Sequence, residues 1–221
     1  RLYSLEETLD VLDKVIYHLE SFDAPLIRSS VGNYLVAEIA ADHVAFVLSG
    51  EGGDELFAGY DYQKNCRSEV ELTICIQEAI AALHNTALQR VDRSAMAHGH
   101  QVITPFLDPD VVRLALAIPA RWKIYDQAKT EKWPLRQALA DHLPEKVIVR
   151  KKEKFWQGAG VWELVADYAD QKISDQEFAA QRELGDNFYL RSKEELLYYK
   201  IFKNFFGDKV PLEEIGRTQH I

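Results

Sequence analysis

Three carboxylates, Glu51, Asp54 and Glu55, stand among three glycines in Ser49-Gly50-Glu51-Gly52-Gly53-Asp54-Glu55. The glycines let the backbone turn sharply and approach a ligand, with amide N–H groups free to face an anion. The acids alone would repel a phosphate. The combination makes chemical sense with a hard cation such as Mg²⁺ between carboxylates and phosphates. Two basic clusters lie downstream. Lys129, Lys132 and Arg136 recur at three- and four-residue spacing, which reads as one face of a helix over Glu131 to His142, and Arg150-Lys151-Lys152-Glu153-Lys154 reads as a loop. In an acidic chain they suggest charge compensation of a polyphosphate. The plainer alternatives are a tight turn with solvated acids and solvated basic faces.

The elements that must position these groups begin with Val44-Ala45-Phe46-Val47-Leu48, a short apolar run without polar alternation. Such a run reads as a strand buried on both faces of a parallel sheet. Asp54-Glu55-Leu56-Phe57-Ala58 then starts a helix, with Asp54 as cap or first-turn acid. Strand, glycine turn and helix mark the place where open α/β sheets bind nucleotides, outside the carboxyl end of a strand.

Upstream, Leu5, Leu9, Leu12, Ile16 and Leu19 form one stripe of a helix, Asp23-Ala24-Pro25 starts a loop, and a second helix runs from Ser29 or Ser30 to Ala41. Downstream, Glu69 to Arg93 reads as one long helix. Asp108-Pro109-Asp110 caps Val111 to Ala117, and further helices are expected over Val161 to Lys172, Asp175 to Glu183 and Ser192 to Phe206. His98 and His100 follow Arg90-Val91-Asp92-Arg93 and read as structural histidines. Gly158-Ala159-Gly160 suggests close backbone approach or hinge freedom, and Pro105-Phe106-Leu107-Asp108 a rigid architectural segment.

The reading is thus predominantly helical, with one clear strand at 43–48 and about eight helices. A lone buried strand leaves backbone groups unpaired, so its neighbours are expected upstream of Arg1 or from another chain.

The chain has 221 residues, 47% of them hydrophobic, enough for a proper core. Its net charge of −9 and pI near 5.3 argue against a nucleic-acid binder or a membrane-surface protein. No signal or membrane-spanning run is apparent. Cys66 and Cys75 lack metal-ligand spacing and read as buried, reduced thiols of a cytoplasmic protein. The chain starts at Arg1 and has a single methionine, Met96, so a processed product or a piece of a longer chain is expected.

Five segments in order resemble the synthetase domain of the glutamine-dependent asparagine synthetase family: LSGEGGDELFAGY (Leu48 to Tyr60), RVDRSAMAHGH…PFLD (Arg90 to Asp108), KTEKWPLRQAL (Lys129 to Leu139), RKKEKFWQGAG (Arg150 to Gly160) and SKEELLYYKIF (Ser192 to Phe202). The resemblance implies an α/β domain of the ATP-pyrophosphatase type. Residues 1–60 would be the end of its nucleotide-binding core and 61–221 its helical C-terminal portion. It further implies adenylation of aspartate by ATP with Mg²⁺, pyrophosphate release, and transfer of ammonia derived from glutamine.

On that basis Ser49, Gly50, Glu51, Gly52 and Lys132 would bind ATP, Asp54 and Glu55 would hold Mg²⁺, and Glu51 and Lys152 would be catalytic. Glu51, buried beside two other acids, is expected to have a raised proton affinity suited to a base near neutral pH.

The chain also departs from the family pattern. The pyrophosphate loop and the glutaminase domain are absent, so the chain alone is expected to be inactive, with the N-terminal remainder of the enzyme as its partner and a homodimer as one consistent assembly. Gln101 and Ile103 stand where the family has a glutamate and often an arginine, and Ala87 falls where some members carry an acid. They leave open another acid substrate, or a relative that closes a β-lactam or other amide ring. A reading from a different class is a non-catalytic interaction module that kept the fold.

Overall fold

A computed structural model of the chain describes residues 4–124, 129–152, 162–185 and 188–218. Helix α1 (Leu5–Leu19) is fixed at its start by a reciprocal cap, in which Glu7 N–H donates to Ser4 Oγ at 3.2 Å and Ser4 N–H to Glu7 Oε2 at 2.9 Å. Its stripe of Leu12, Val15, Ile16 and Leu19 is buried.

Helix α2 (Ala24–Ala41) starts about a turn earlier than the sequence suggested. Asp23 is its N-cap, accepting from Leu26 N–H at 3.3 Å, and Pro25 occupies the first turn, where a missing N–H costs nothing. The Asp-Ala-Pro triplet read as a loop is therefore a helix start.

The expected helix from 69 to 93 is two helices, α4 (Glu69–Ala81) and α5 (Ala87–Met96), joined through a 3-10 turn at Leu83–Asn85. Local side chains compete for the backbone there: Thr86 Oγ1 donates to Ala82 O at 2.6 Å, and His84 Nδ1 lies 2.8 Å from Ala81 O.

Strand β1 (Phe46–Leu48) pairs in parallel with β2 (Gln101–Ile103) in the register Phe46–Gln101, Val47–Val102, Leu48–Ile103. The one-strand reading is corrected here. At three residues β2 is too short for a periodicity to show, and Gly99 and Pro105 hide it among turn signals. β1 is also not buried on both faces within this chain: Phe46 is 57% and Leu48 70% exposed.

Between the strands in sequence lie the short helix α3 (Gly53–Leu56), α4 and α5, and beyond β2 lies α6 (Pro109–Ala117), capped by Asp108 as expected. The helix read over 131–142 is a shorter one, α7 (Trp133–Ala138), followed after Pro144 by α8 (Glu145–Ile148). Lys132 precedes α7 in the left-handed region (φ 56°, ψ 30°), and Lys129 also has a positive φ of 50°. The lysines and Arg136 thus do not share a helix face.

α9 (Trp162–Lys172), α10 (Asp175–Gln181) and α11 (Lys193–Phe206) follow, the last running from its Ser192 cap to Gly207 as expected. An unforeseen hairpin of Glu183–Gly185 with Phe188–Tyr189 separates α10 from α11.

The main core joins the two ends of the sequence. Phe22, Ile27, Val31 and Leu35 from the N-terminal pair pack with Leu196, Tyr198 and Phe202 of α11. Cys66 and Cys75 are free thiols, half-buried, with their sulfurs 3.5 Å apart. Among the described residues no helix is long and apolar enough to cross a membrane.

Candidate active site

β1 delivers the chain to Ser49, whose N–H donates to Ile103 O at 2.8 Å, so the parallel pair sets where the turn begins. The turn closes through Gly53 N–H to Gly50 O at 3.2 Å and runs directly into α3. Gly52 has φ 92°, and a Cβ there would lie 2.5 Å from Leu107 Cδ2. Left-handed backbone and close packing together make this a glycine position. The same Leu107 and Phe106, read as architectural, form the wall against which the turn is pressed.

The turn separates its three acids. Glu51 forms an ion pair with Arg90 of α5. Asp54 receives two ammonium groups: Lys132 Nζ lies 2.8 Å from Oδ1, and Lys152 Nζ donates to Oδ2 at 2.8 Å. Glu55 is 3% exposed, accepts from the Tyr60 hydroxyl on Oε1, and has no protein partner on Oε2.

Burial pushes the Asp54 carboxyl up, but the two lysines outweigh it and leave it below its ordinary value. Burial, reinforced by the charges of Asp54 and Glu51, raises Glu55 in spite of its bond to Tyr60. The same burial and the Glu55 charge raise the Tyr60 hydroxyl, which stays a donor. Glu55 is thus a raised acid of this turn. Glu51 is engaged by the Arg90 guanidinium.

Close approach of the lysines depends on the segment after α3. Ala58 has φ 55°, and Gly59 N–H donates to Asp54 O at 2.8 Å, folding the chain back over the acid. A Cβ on Gly59 would overlap both Asp54 Oδ1 and Lys132 Cε. Lys132 N–H in turn donates to Phe57 O at 3.2 Å, anchoring its main chain to the same fold-back.

Of the other basic residues, Lys129 Nζ donates to Lys64 O at 2.6 Å, away from the acids. Lys132, Lys151 and Lys152 help to line a cavity of about 360 Å³ with the apolar Leu135, Leu139 and Val147. Residues 153–161, which carry the expected Gly158-Ala159-Gly160 approach, lie outside the described residues.

The structure therefore brings Asp54, Lys132 and Lys152 into direct contact, with Glu51 and Glu55 on the same turn, over sequence separations of up to 98 residues. Arg90, Tyr60 and Gly59 were not foreseen as parts of the site. All three left a signal in the sequence, Gly59 and Tyr60 as the end of the Leu48–Tyr60 segment and Arg90 within the alternating charges at an expected helix end. His98 packs edge-on against Tyr34, ring centres 4.4 Å apart, and His100 is 3% exposed. Nε2 of His98 and both ring nitrogens of His100 are buried without a hydrogen-bond partner among the described residues.

Among the described residues no group of three or more His, Cys, Asp or Glu is placed to hold a metal by itself. Mg²⁺ typically uses one or two carboxylates and takes its remaining ligands from phosphates and water. Asp54, together with the unpartnered buried oxygen of Glu55, fits that donor set.

Comparison with known proteins adds an independent finding. The chain matches the family described as asparagine synthase over residues 2–74 and 67–218. It is 39% identical over 217 residues to a probable glutamine-hydrolysing asparagine synthetase of Schizosaccharomyces pombe, covering 92% of this chain and 39% of that protein. Glutamine-hydrolysing asparagine synthetase 3 of Arabidopsis thaliana is 34% identical over 214 residues, with 92% and 37% covered. Glutamine-hydrolysing asparagine synthetase 1 of Saccharomyces cerevisiae is 34% identical over 228 residues, with 97% and 40% covered. The chain thus spans less than half the length of these relatives. With a match running over nearly its whole sequence, the chain belongs to the asparagine synthase family.

Proposed function

We propose that this chain is the C-terminal part of an ATP-dependent amide-forming ligase, in which it supplies the acid turn and the two lysines that act on an adenylated carboxylic acid. The observation that supports this most directly is the convergence of Lys132 and Lys152 on Asp54 from segments far apart in sequence. Solvated lysines of a plain basic face would have no cause to meet on one half-buried carboxylate.

In the reaction, a carboxylate oxygen of aspartate or a similar acid attacks the α-phosphorus of ATP and the bond to pyrophosphate breaks. Ammonia derived from glutamine then attacks the acyl carbon and AMP leaves. Ser49, Gly50, Glu51 and Gly52 line the nucleotide side, with the backbone of the turn free to approach it. Lys132 and Lys152 carry positive charge to the leaving pyrophosphate, where charge develops in the transition state. Glu51, held by Arg90, takes a proton from the attacking amine. Asp54 and Glu55 would hold Mg²⁺, which when bound neutralises phosphate charge.

In this reading Asp54 partners the lysines until phosphates compete for them. The edge of β1 away from β2 is where further strands of the nucleotide-binding sheet would pair, and the exposed side chains of Phe46 and Leu48 are what its helices would cover, both supplied by the N-terminal remainder of the enzyme.

The test uses the protein at its full natural length. With ATP, Mg²⁺, aspartate and either glutamine or ammonia, it should release pyrophosphate and form amide in equal amounts. Lys152→Ala and Glu51→Gln should abolish both while the protein stays folded. Near-normal turnover by either variant would remove that residue from its role, and a full-length protein without nucleotide affinity would leave a non-catalytic module as the better description.

A further inference from the structure

The two lysines reach Asp54 from different segments, and one side chain touches both segments. Arg136 Nε donates to Glu131 O at 2.9 Å and Nη2 to Glu131 Oε1 at 2.6 Å, gripping the residue just before Lys132. The same guanidinium donates through Nη1 to Ile148 O and through Nη2 to Arg150 O at 2.9 Å, gripping the stretch that leads to Lys152. We infer that Arg136 is a positioning residue, a planar bracket that holds the Lys132 and Lys152 segments at the spacing at which both amines meet Asp54.

Three features make the bracket more than a surface contact. Arg136 has a side-chain exposure of 14%, and its carboxylate partner Glu131 is 4% exposed, so the pair is poorly screened. Glu131 is fixed from its other oxygen by Lys64 Nζ at 2.9 Å, and Lys64 O accepts from Lys129, so the segment on both sides of Glu131 is tied down. Lys132 itself stands in the left-handed backbone region, a conformation that is unfavourable for a non-glycine residue and persists only where the surroundings impose it.

Four acceptors are served by the three nitrogens of one guanidinium fork. A lysine at 136, with one nitrogen on a flexible stem, cannot serve them all. The bearing of the bracket on turnover rests on the function proposed above; its bearing on geometry does not.

The test is Arg136→Ala in the full-length protein, with lysine reactivity toward an amine-acetylating reagent read peptide by peptide in mass spectra. Initial labelling of Lys132 and Lys152 should rise at least about tenfold as their pairing with Asp54 is lost, while Lys193 and Lys200, ion-paired elsewhere, keep their rates. Guanidinium at tens of millimolar should restore protection where sodium does not, and Arg136→Lys should not restore it.

In the same preparations kcat should fall by about a hundredfold with little change in KM, the signature of reacting groups moved by about 1 Å. Unchanged labelling of both lysines, or an equal rise at all four, would overturn the bracket. If Arg136→Ala does not fold, Glu131→Gln decides the matter: labelling should rise at Lys132 more than at Lys152, and no rise at either overturns the proposal. A wild-type protein that shows the labelling pattern but no ATP-dependent turnover would sink the proposed function and leave the bracket standing.

Discussion

At the junction of α2, α11 and the C-terminal segment, Asp23 and Glu195 share Arg191, and Glu195 also takes Arg217; at the end of β1, Asp54 takes both Lys132 and Lys152. Both are clusters of acid and base assembled from distant segments, yet they are finished differently. Around Asp23 and Glu195, 1% and 0% exposed, both carboxylates are fully taken up. Asp23 accepts from Leu26 N–H, Thr218 N–H, the Thr218 hydroxyl and Arg191, and Glu195 accepts from the guanidinium groups of Arg191 and Arg217 and from Arg191 N–H.

Around Asp54 the cations are lysines, the backbone is left-handed at Ala58 and Lys132, and a buried oxygen of neighbouring Glu55 has no protein partner. Arginine forks lock geometry, whereas lysines are point charges on flexible stems that can follow an anion. A closed cluster joins the two ends of the fold; an open one retains capacity for a ligand.

The largest effect that sharpens this contrast is expected from Lys152→Ala in the full-length protein. Turnover should fall by about a thousandfold, the size associated with losing one donor at a developing charge, with a melting temperature nearly that of wild type. Assays of pyrophosphate release beside a thermal melt would expose a purely structural lysine, whose loss would move the melt and spare the rate.

Glu195→Ala should do the reverse. Removing the buried carboxylate from the part-exposed Arg191 and Arg217 should cost about 1–3 kcal/mol in denaturant unfolding, with turnover per folded molecule unchanged. A variant that unfolded like wild type would break the comparison at its structural end.

Gly59→Ala should come next. The added methyl overlaps Asp54 and the Lys132 stem, so the pair must separate, and kcat should drop by roughly tenfold to a hundredfold. Stability should fall by about 1–3 kcal/mol. Wild-type kinetics would mean that contact between Asp54 and Lys132 is dispensable.

The smallest effect is in the pH dependence of stability, where Asp54 and Glu55 act in opposite directions. Asp54 is depressed on folding, so its contribution is present above the unfolded aspartate value, about 3.9, and is lost as pH falls through its lower folded value. Glu55 is raised, so its contribution is full below the unfolded glutamate value, about 4.3, and is lost as pH rises through its higher folded value. Glu55→Gln should therefore flatten the decline of stability on the alkaline side of that window. A denaturation series in which the variant and wild type run parallel from acid to neutral pH would show that the burial of Glu55 is not maintained in solution.

Much of this was legible in the residues. The Leu5–Leu19 stripe, the Asp108 and Ser192 caps, the stop at Gly207 and the strand before Ser49 all came from local patterns, because caps and apolar periodicity act over a few residues. What failed was equally local in cause. Asp-Ala-Pro can open a loop or a helix, and only the Asp23 bond to Leu26 N–H decides. A hydroxyl and an imidazole at Thr86 and His84 ended a helix that apolar spacing alone would have continued. β2 offered three residues, too few for any period.

The sequence by itself determined the ingredients of the site and the family: the acid turn Ser49–Glu55, the lysines at 132 and 152, and a match along nearly the whole chain. Only the tertiary structure decided which acid meets which base. Lys132 reached Asp54 from a left-handed backbone position rather than from a helix face, Glu51 went to Arg90, and burial raised the Glu55 carboxyl. The reason is physical. Residue types fix what charges exist, but pairing energy and desolvation depend on separations of a few ångströms and on burial. Those are set by packing between segments nearly a hundred residues apart, which no local pattern encodes.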